Sequence, residues 1–241
     1  MYWTIRLVKL YPKDTTMALY KFLSRKYFDK FFETGSLRLG TMYDFKRTEV
    51  HGLSRGDSSE GKHRIRRIVN EPMVLTGNEQ EPLISDIIST NGGTVNLSNT
   101  TFVKVQQDGD GFIFCTSYFF SEQIFKNWHS ENNVDACYEI VDPQGFIRAI
   151  SNAISNSAYF FENHNITYTD EHIDYLSNQA PIHPAFTKVA NNYSWQVENR
   201  SLWKARQPSG ILQPWNISVP EAIQFCRPFA TLEKNEIVYT N

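Results

Sequence analysis

Between Ala18 and Gly40 the sequence dictates a strand, a helix and a second strand in quick succession. Ala18-Leu-Tyr-Lys-Phe-Leu23 is a short apolar run interrupted only by the charge of Lys21, and it predicts a buried strand. Ser24 is placed to cap a helix over Arg25 to Thr34, where Phe28, Phe31 and Phe32 recur at i, i+3 and i+4. Gly35 stands where a helix end turns left-handed, and Ser36-Leu-Arg-Leu-Gly40 follows as the second strand. Short connections between alternating element types lead to a layered α/β or α+β domain.

A chain of 241 residues fits one such domain with a core that needs no staples. Aromatic residues make up 14% of it, enough to fill that core and to line a cleft for flat rings. The net charge of −2 excludes a globally basic nucleic-acid binder, so any polyanion must meet a local patch. Cys115, Cys137 and Cys226 are far apart, with neither zinc-ligand spacing nor a disulfide framework, which points to a reducing compartment. No charged n-region precedes an apolar stretch at the N-terminus. Nor does any run reach the ~20 apolar residues of a membrane span. A cytoplasmic protein with no membrane partner is expected.

Residues 2–11 suit a first strand or an extended arm. Residues 44–61 carry three glycines and no periodicity, and read as a polar loop. Lys62 to Val69 is a basic strand. Turn signals at Gly77, Asn91-Gly-Gly93 and Asp108-Gly-Asp-Gly111 mark a hairpin-rich insertion at about 70–111 within a single domain over residues 1–241. Gly111 to Phe120 is the most strand-like core segment, and Ser121 caps a helix through Trp128. Ala136 to Val141 is a strand, Phe146 to Phe161 a helix, and the segment after residue 211 a set of short strands around its prolines.

Tyr193 to Trp203 alternates as a strand does. Tyr193, Trp195 and Val197 fall on one face, and Ser194, Gln196, Glu198 and Arg200 on the other. Gln196 and Glu198 would stand ~7 Å apart at the α-carbons by strand rise. Spacing alone equally describes an edge strand with a solvated polar face.

Three segments in order resemble the ADP-ribosyltransferase fold family, in particular toxin components of bacterial toxin–antitoxin and phage-defence systems. Leu19-Tyr-Lys-Phe22, with the helix and Gly35-Ser-Leu-Arg-Leu39 after it, is similar to the strand that carries the family's NAD anchor. Phe114-Cys-Thr-Ser117 with Tyr118-Phe-Phe120 is similar to the Ser-Thr-Ser strand and its trailing aromatic. Gln196-Val-Glu198 is similar to the catalytic Gln-x-Glu. The resemblance implies a split, mainly antiparallel sheet with flanking helices, and NAD as a substrate. It implies that Glu198, with Gln196, stabilises the oxocarbenium ion formed as nicotinamide leaves. Thr116 and Ser117 would brace that carboxylate, Tyr118, Phe119 or Phe120 would stack on nicotinamide, and Tyr20 or Lys21 would hold the adenylate half. The acceptor would be a nucleic acid, RNA before protein, and an antitoxin, sometimes with a chaperone, would hold the toxin in check. The chain departs from the pattern in having neither Arg nor His in the anchoring run, and in starting the second motif with Cys115.

Arg55, Arg64 and Arg66 belong to the one concentrated basic stretch and are the candidate acceptor contacts, because Lys and Arg position a phosphate backbone without reading its sequence. Glu49, His51, Asp57, Glu60 and His63 match no metal template, so no metal is expected. Gly-x-Ser-x-Gly is absent and Cys115 lies in a core strand, which gives a hydrolase no support. The alternative to a transferase is a non-catalytic nucleotide- or protein-binding module on the same fold.

Overall fold

The computed structural model describes residues 18–77, 82–207, 210–234 and 236–240. The strand expected over residues 2–11 lies outside them. The chain runs β1 (Leu19–Leu23), α1 (Arg25–Thr34), β2 (Ser36–Thr41), α2 (Met42–Phe45), α3 (Thr48–Arg55), β3 (Lys62–Val69), β4 (Met73–Leu75), α4 (Pro82–Ser85), β5 (Val95–Leu97) and β6 (Thr100–Gln107). It continues with β7 (Phe112–Ser117), α5 (Glu122–Asn132), β8 (Ala136–Ile140), α6 (Pro143–Ala153), β9 (Ala158–Asn165), β10 (Thr167–Thr169), β11 (His172–Asp174), β12 (Thr187–Val189) and α7 (Ala190–Tyr193). The last strands are β13 (Glu198–Ala205), β14 (Trp215–Ser218), β15 (Cys226–Glu233) and β16 (Glu236–Tyr239).

Nine of these strands form one sheet, and β7 is its hub. Along one edge β7 pairs antiparallel with β13, which in turn pairs with β9. Its other edge is shared. Ser117 meets Tyr20 of β1 at one end, while Ile113 and Phe112 meet Gly40 and Thr41 of β2 at the other. From there β1 continues into β8, β15 and β16, and β2 into β14. The sheet therefore splits into two arms at β7, with no strand between them opposite Phe114–Thr116 among the described residues. The architecture is mixed α/β with a mainly antiparallel sheet.

One face of β7 turns Phe112 and Phe114 into the main core, where Phe28 and Phe31 of α1, Phe146 and Ile150 of α6, Tyr138 and Trp203 meet them. Helix α1 forms as its Phe spacing predicts, and Gly35 ends it at φ 68° with its N–H on the Phe31 carbonyl, 2.7 Å away. Ser24 occupies the N-cap but its hydroxyl makes no capping bond. Ser121 does cap α5, accepting from the Ile124 N–H at 3.2 Å. A satellite core of Ile65, Val69, Leu75, Leu83, Ile84, Leu97, Phe102 and Ile173 lies under a three-stranded sheet of β11, β3 and β6. No helix among the described residues is long and apolar enough to cross a membrane.

Three sequence readings need correction. Residues 44–61 are not a plain loop: α2 and α3 lie there, the latter broken at Gly52 with φ 69°. Local bonds rather than apolar periodicity hold them, the Thr41 hydroxyl accepting from the Asp44 N–H at 3.0 Å and the Phe45 carbonyl from the Asp57 N–H at 2.8 Å. The helix expected to Phe161 ends at Ala153, and Tyr159-Phe-Phe161 belongs to β9, where aromatic residues fit a pleated surface. Finally, Tyr193 to Val197 is not strand. Helix α7 passes into a 3-10 turn over Ser194–Gln196, and β13 begins only at Glu198.

Candidate active site

Cross-strand partners in a sheet share a face, so register decides which side chains can meet. Tyr20 pairs with Ser117 and Ser117 with Glu198, which sets the three on one face of three neighbouring strands. Arg200 lies opposite Cys115 on that same face. Thr116 alternates to the other face, where its hydroxyl donates to the Asn199 carbonyl at 3.3 Å. It braces the β13 backbone rather than the Glu198 carboxylate.

Val197 makes the corner into β13 at φ 42°, ψ 50°. A β-branched residue in left-handed geometry is strained by about 1–2 kcal/mol. Two bonds hold it: the Ser117 hydroxyl donates to the Gln196 carbonyl at 2.7 Å, and the Tyr118 N–H to the Val197 carbonyl at 3.0 Å. Gln196 and Glu198 therefore do not stand side by side on a strand. They meet instead through Lys188 of β12, whose ammonium lies 2.7 Å from Glu198 Oε2 and donates to Gln196 Oε1 at 3.4 Å.

Glu198 is 4% exposed and lies in a chain of buried charges. Arg200 Nε donates to its Oε1 at 3.0 Å, and Arg200 Nη1 and Nη2 form a fork on the Glu60 carboxylate. The Ala185 carbonyl accepts from Nη1 at 2.6 Å, and the Tyr168 hydroxyl accepts from the Glu198 N–H at 2.9 Å. Burial opposes ionisation of Glu198, yet the Arg200 and Lys188 charges outweigh it and hold the carboxyl at about 2. Burial likewise opposes the charge of Lys188, and Glu198 and Glu60 reverse that and raise it. The Cys115 thiol is pushed up to about 12 by burial and by Glu198, so at neutral pH it is no nucleophile. Asp57, beside Glu60, is raised by burial and by that neighbouring carboxylate.

Lys21 crosses the split in the sheet and donates to the Cys115 carbonyl at 2.6 Å, with its ammonium 4.5 Å from the Phe114 ring centre. Burial above all brings it down to about 8. Tyr20 points its hydroxyl away from Glu198, donating to Glu139 at 3.3 Å, and packs against Phe120 and Phe229. Phe120 itself stacks on Phe22 at 5.8 Å inside an apolar cluster, which removes it from the set of ring-stacking candidates. Tyr118 remains half-buried beside the corner.

The basic residues divide. Arg64 and Arg66 alternate on the exposed face of β3, where Arg64 pairs with Glu171 at 2.8 Å. Arg64 and Lys188 also line one cavity of about 230 Å³ with Asp57, His63 and Thr187. Arg55 lies elsewhere, over the Trp128 indole at 5.8 Å and close to Arg38. Lys188 was not among the sequence candidates and Glu60 was weighed only as a metal ligand, although Arg200 was visible as a member of the Glu198 face.

An ionised carboxylate offers about four lone-pair sites. Glu198 spends them on Lys188, on Nε and Nη2 of Arg200 and on the Cys115 thiol. Lys21 places a cation at the split, on the Cys115 carbonyl. No family model matches the chain, and no match is found among curated proteins or solved structures.

Proposed function

We propose that the protein is an NAD-dependent mono-ADP-ribosyltransferase with Glu198 as its catalytic carboxylate, acting as a toxin or anti-phage effector on a nucleic-acid acceptor, RNA before DNA or protein. One observation carries the reading: Tyr20, Ser117 and Glu198, taken from three distant segments that resemble the family's motifs, stand in register across adjacent strands at a split in the sheet. In this reading the bond between the nicotinamide nitrogen and the ribose breaks with its electron pair going to nicotinamide, which leaves neutral. Positive charge develops on the ribose and the ionised Glu198 stabilises it, a fixed charge worth most where water is excluded. The acceptor then forms the new bond to the anomeric carbon and loses a proton. Gln196, held by Lys188, would face the acceptor side. An antitoxin would be the partner that holds such an activity in check.

A second reading is favoured by a different observation. Both oxygens of Glu198 are engaged by buried cations, an arrangement that also suits a fixed structural strut in a non-catalytic binding module. One experiment separates the two. Purified protein is incubated with NAD labelled in the adenylate and with cell extract, and the labelled material is treated with RNase, DNase or protease. Label that enters an RNase-sensitive product, and that drops about 100-fold or more with Glu198→Gln, supports the transferase. Absence of any labelled product with the wild type, in a folded protein, supports the binding module.

A further inference from the structure

Strands β3, β6, β10 and β12 and the loop before β3 line the cavity of about 230 Å³. Asp57 on its wall is 6% exposed, and its Oδ1 accepts from the Ser59 N–H at 2.8 Å. No cation among the described residues pairs with that carboxylate. Lys188, on the same wall, is engaged with Glu198, and Arg200 with Glu60 and Glu198. A contact of 3.4 Å between His63 Nδ1 and the Thr187 hydroxyl ties β12 to β3 along the wall, and Val105 and Val189 add apolar surface. Lys62 and Arg64 line the cavity too, and with Arg66 they alternate along one face of β3, ~7 Å apart by strand rise. Arg64 pairs with Glu171, both side chains largely exposed, and such a surface pair holds weakly. No carboxylate among the described residues pairs with Lys62 or Arg66.

A buried carboxylate with too few donors costs free energy until a ligand supplies them. When ionised it only accepts, so it selects its partner by N–H groups. The cavity is smaller than the ~300–1,000 Å³ of pockets for drug-sized ligands and suits a single flat ring. Among the RNA bases, guanine alone offers a ring N–H and an exocyclic amine side by side. Adenine and cytosine set a ring acceptor beside the amine, and uracil flanks its one N–H with carbonyls. Unpaired strands are read in this way, their splayed bases bonded on the Watson–Crick edge while Lys and Arg hold the backbone. We propose that the cavity is a guanine pocket in which Asp57 accepts from the ring N–H and the 2-amino group of one base of a single-stranded RNA, whose phosphates run over Lys62, Arg64 and Arg66. The pocket rests on the reading of RNA as the acceptor and names the base that positions the strand. It requires no transfer step, so it is tested without NAD.

The test follows the fluorescence anisotropy of a dye-labelled uridine decamer with a central guanosine, against the same strand with inosine or adenosine there. Inosine lacks only the 2-amino group. The guanosine strand should bind about tenfold or more tighter than either, the discrimination of a two-bond base contact. Asp57→Asn, which trades an acceptor oxygen for a donor, should bring the three strands to within about twofold of one another. Its thermal melt should stay at or above that of the wild type, because a buried carboxylate without a cation has been removed. Lys62→Gln and Arg66→Gln should weaken all three strands alike and each lower the salt slope by about one. The inosine strand needs no variant, so the test stands should Asp57→Asn fail to fold. Equal binding of guanosine and inosine strands, a guanosine preference that survives Asp57→Asn, or no binding of any strand overturns the pocket even if labelled NAD is transferred. Methylguanidinium that binds through Asp57 where no strand does assigns the cavity to an arginine side chain of a protein partner, and overturns the proposal too. A guanosine preference that follows Asp57 without any transfer upholds the pocket and sinks the transferase.

Discussion

Arg200 is fully buried and serves two carboxylates at once, so the cost of losing it falls on both. Arg200→Met leaves Glu60 and Glu198 with less compensation inside the molecule, and unfolding in urea should show a loss of about 3–5 kcal/mol. Acid acts on the same chain of charges. The folded carboxyl of Glu198, at about 2, lies below its ordinary value, which is about 4.3. Its contribution to stability is therefore complete at neutral pH and drains away as pH falls from about 5 toward 2. Glu198→Gln should flatten the stability profile in that window, measured by thermal melts across it. The sequence displayed part of this arrangement, because Arg200 follows Glu198 by two residues and a strand puts both on one face. Lys188 and Glu60 stayed hidden, since each arrives from a separate short element whose position depends on the whole fold.

Val197 joins two elements at a backbone angle that its own side chain resists. Val197→Gly should relieve that strain at the expense of half-buried apolar contact, so stability should change by no more than about 1 kcal/mol. If Glu198 acts as the proposed catalytic carboxylate, loosening the corner should nonetheless lower transfer of labelled NAD, read in the same labelling assay. The alternation of Tyr193, Trp195 and Val197 imitated a strand because each packs into a different surrounding. The Tyr193 hydroxyl donates to the Gly56 carbonyl at 2.9 Å, Trp195 meets Trp128, and Val197 touches the cluster around Phe22 and Phe125. Periodicity of two reports side-chain burial, and here separate contacts supplied it without a sheet. The α1 region was legible for the opposite reason: its spacing, its length and Gly35 all agree. A Cβ at residue 35 would lie 2.3 Å from the Val219 carbonyl carbon, and φ is 68°. Gly35→Ala should therefore lower the melting temperature, with a destabilisation of about 2 kcal/mol or more.

On the scale of the whole molecule, the cores under the nine-stranded sheet and under β3–β6 differ in what covers them. Helices α1 and α6 cover the first, whereas short α4 and the β4–β5 hairpin border the second. Local opening follows such differences. Amides of β4 and β5 should exchange with deuterated solvent well before those of β7 and β13, as mass-resolved hydrogen exchange would record. Sequence gave turn signals for that region and strand signals for β7, but the sharing of one β7 edge between β1 and β2 is a tertiary fact that no local pattern encodes. The register of β13 has a further consequence. Six consecutive pairings, from Glu198 opposite Ser117 to Trp203 opposite Phe112, fix where the carboxylate stands. The stretch from Ala190 to Gln196 contributes none of them. That stretch is fastened by single bonds instead, the Tyr193 hydroxyl on the Gly56 carbonyl and the Ser117 hydroxyl on the Gln196 carbonyl, so the address of the acid is written by β7 and not by the turn before it.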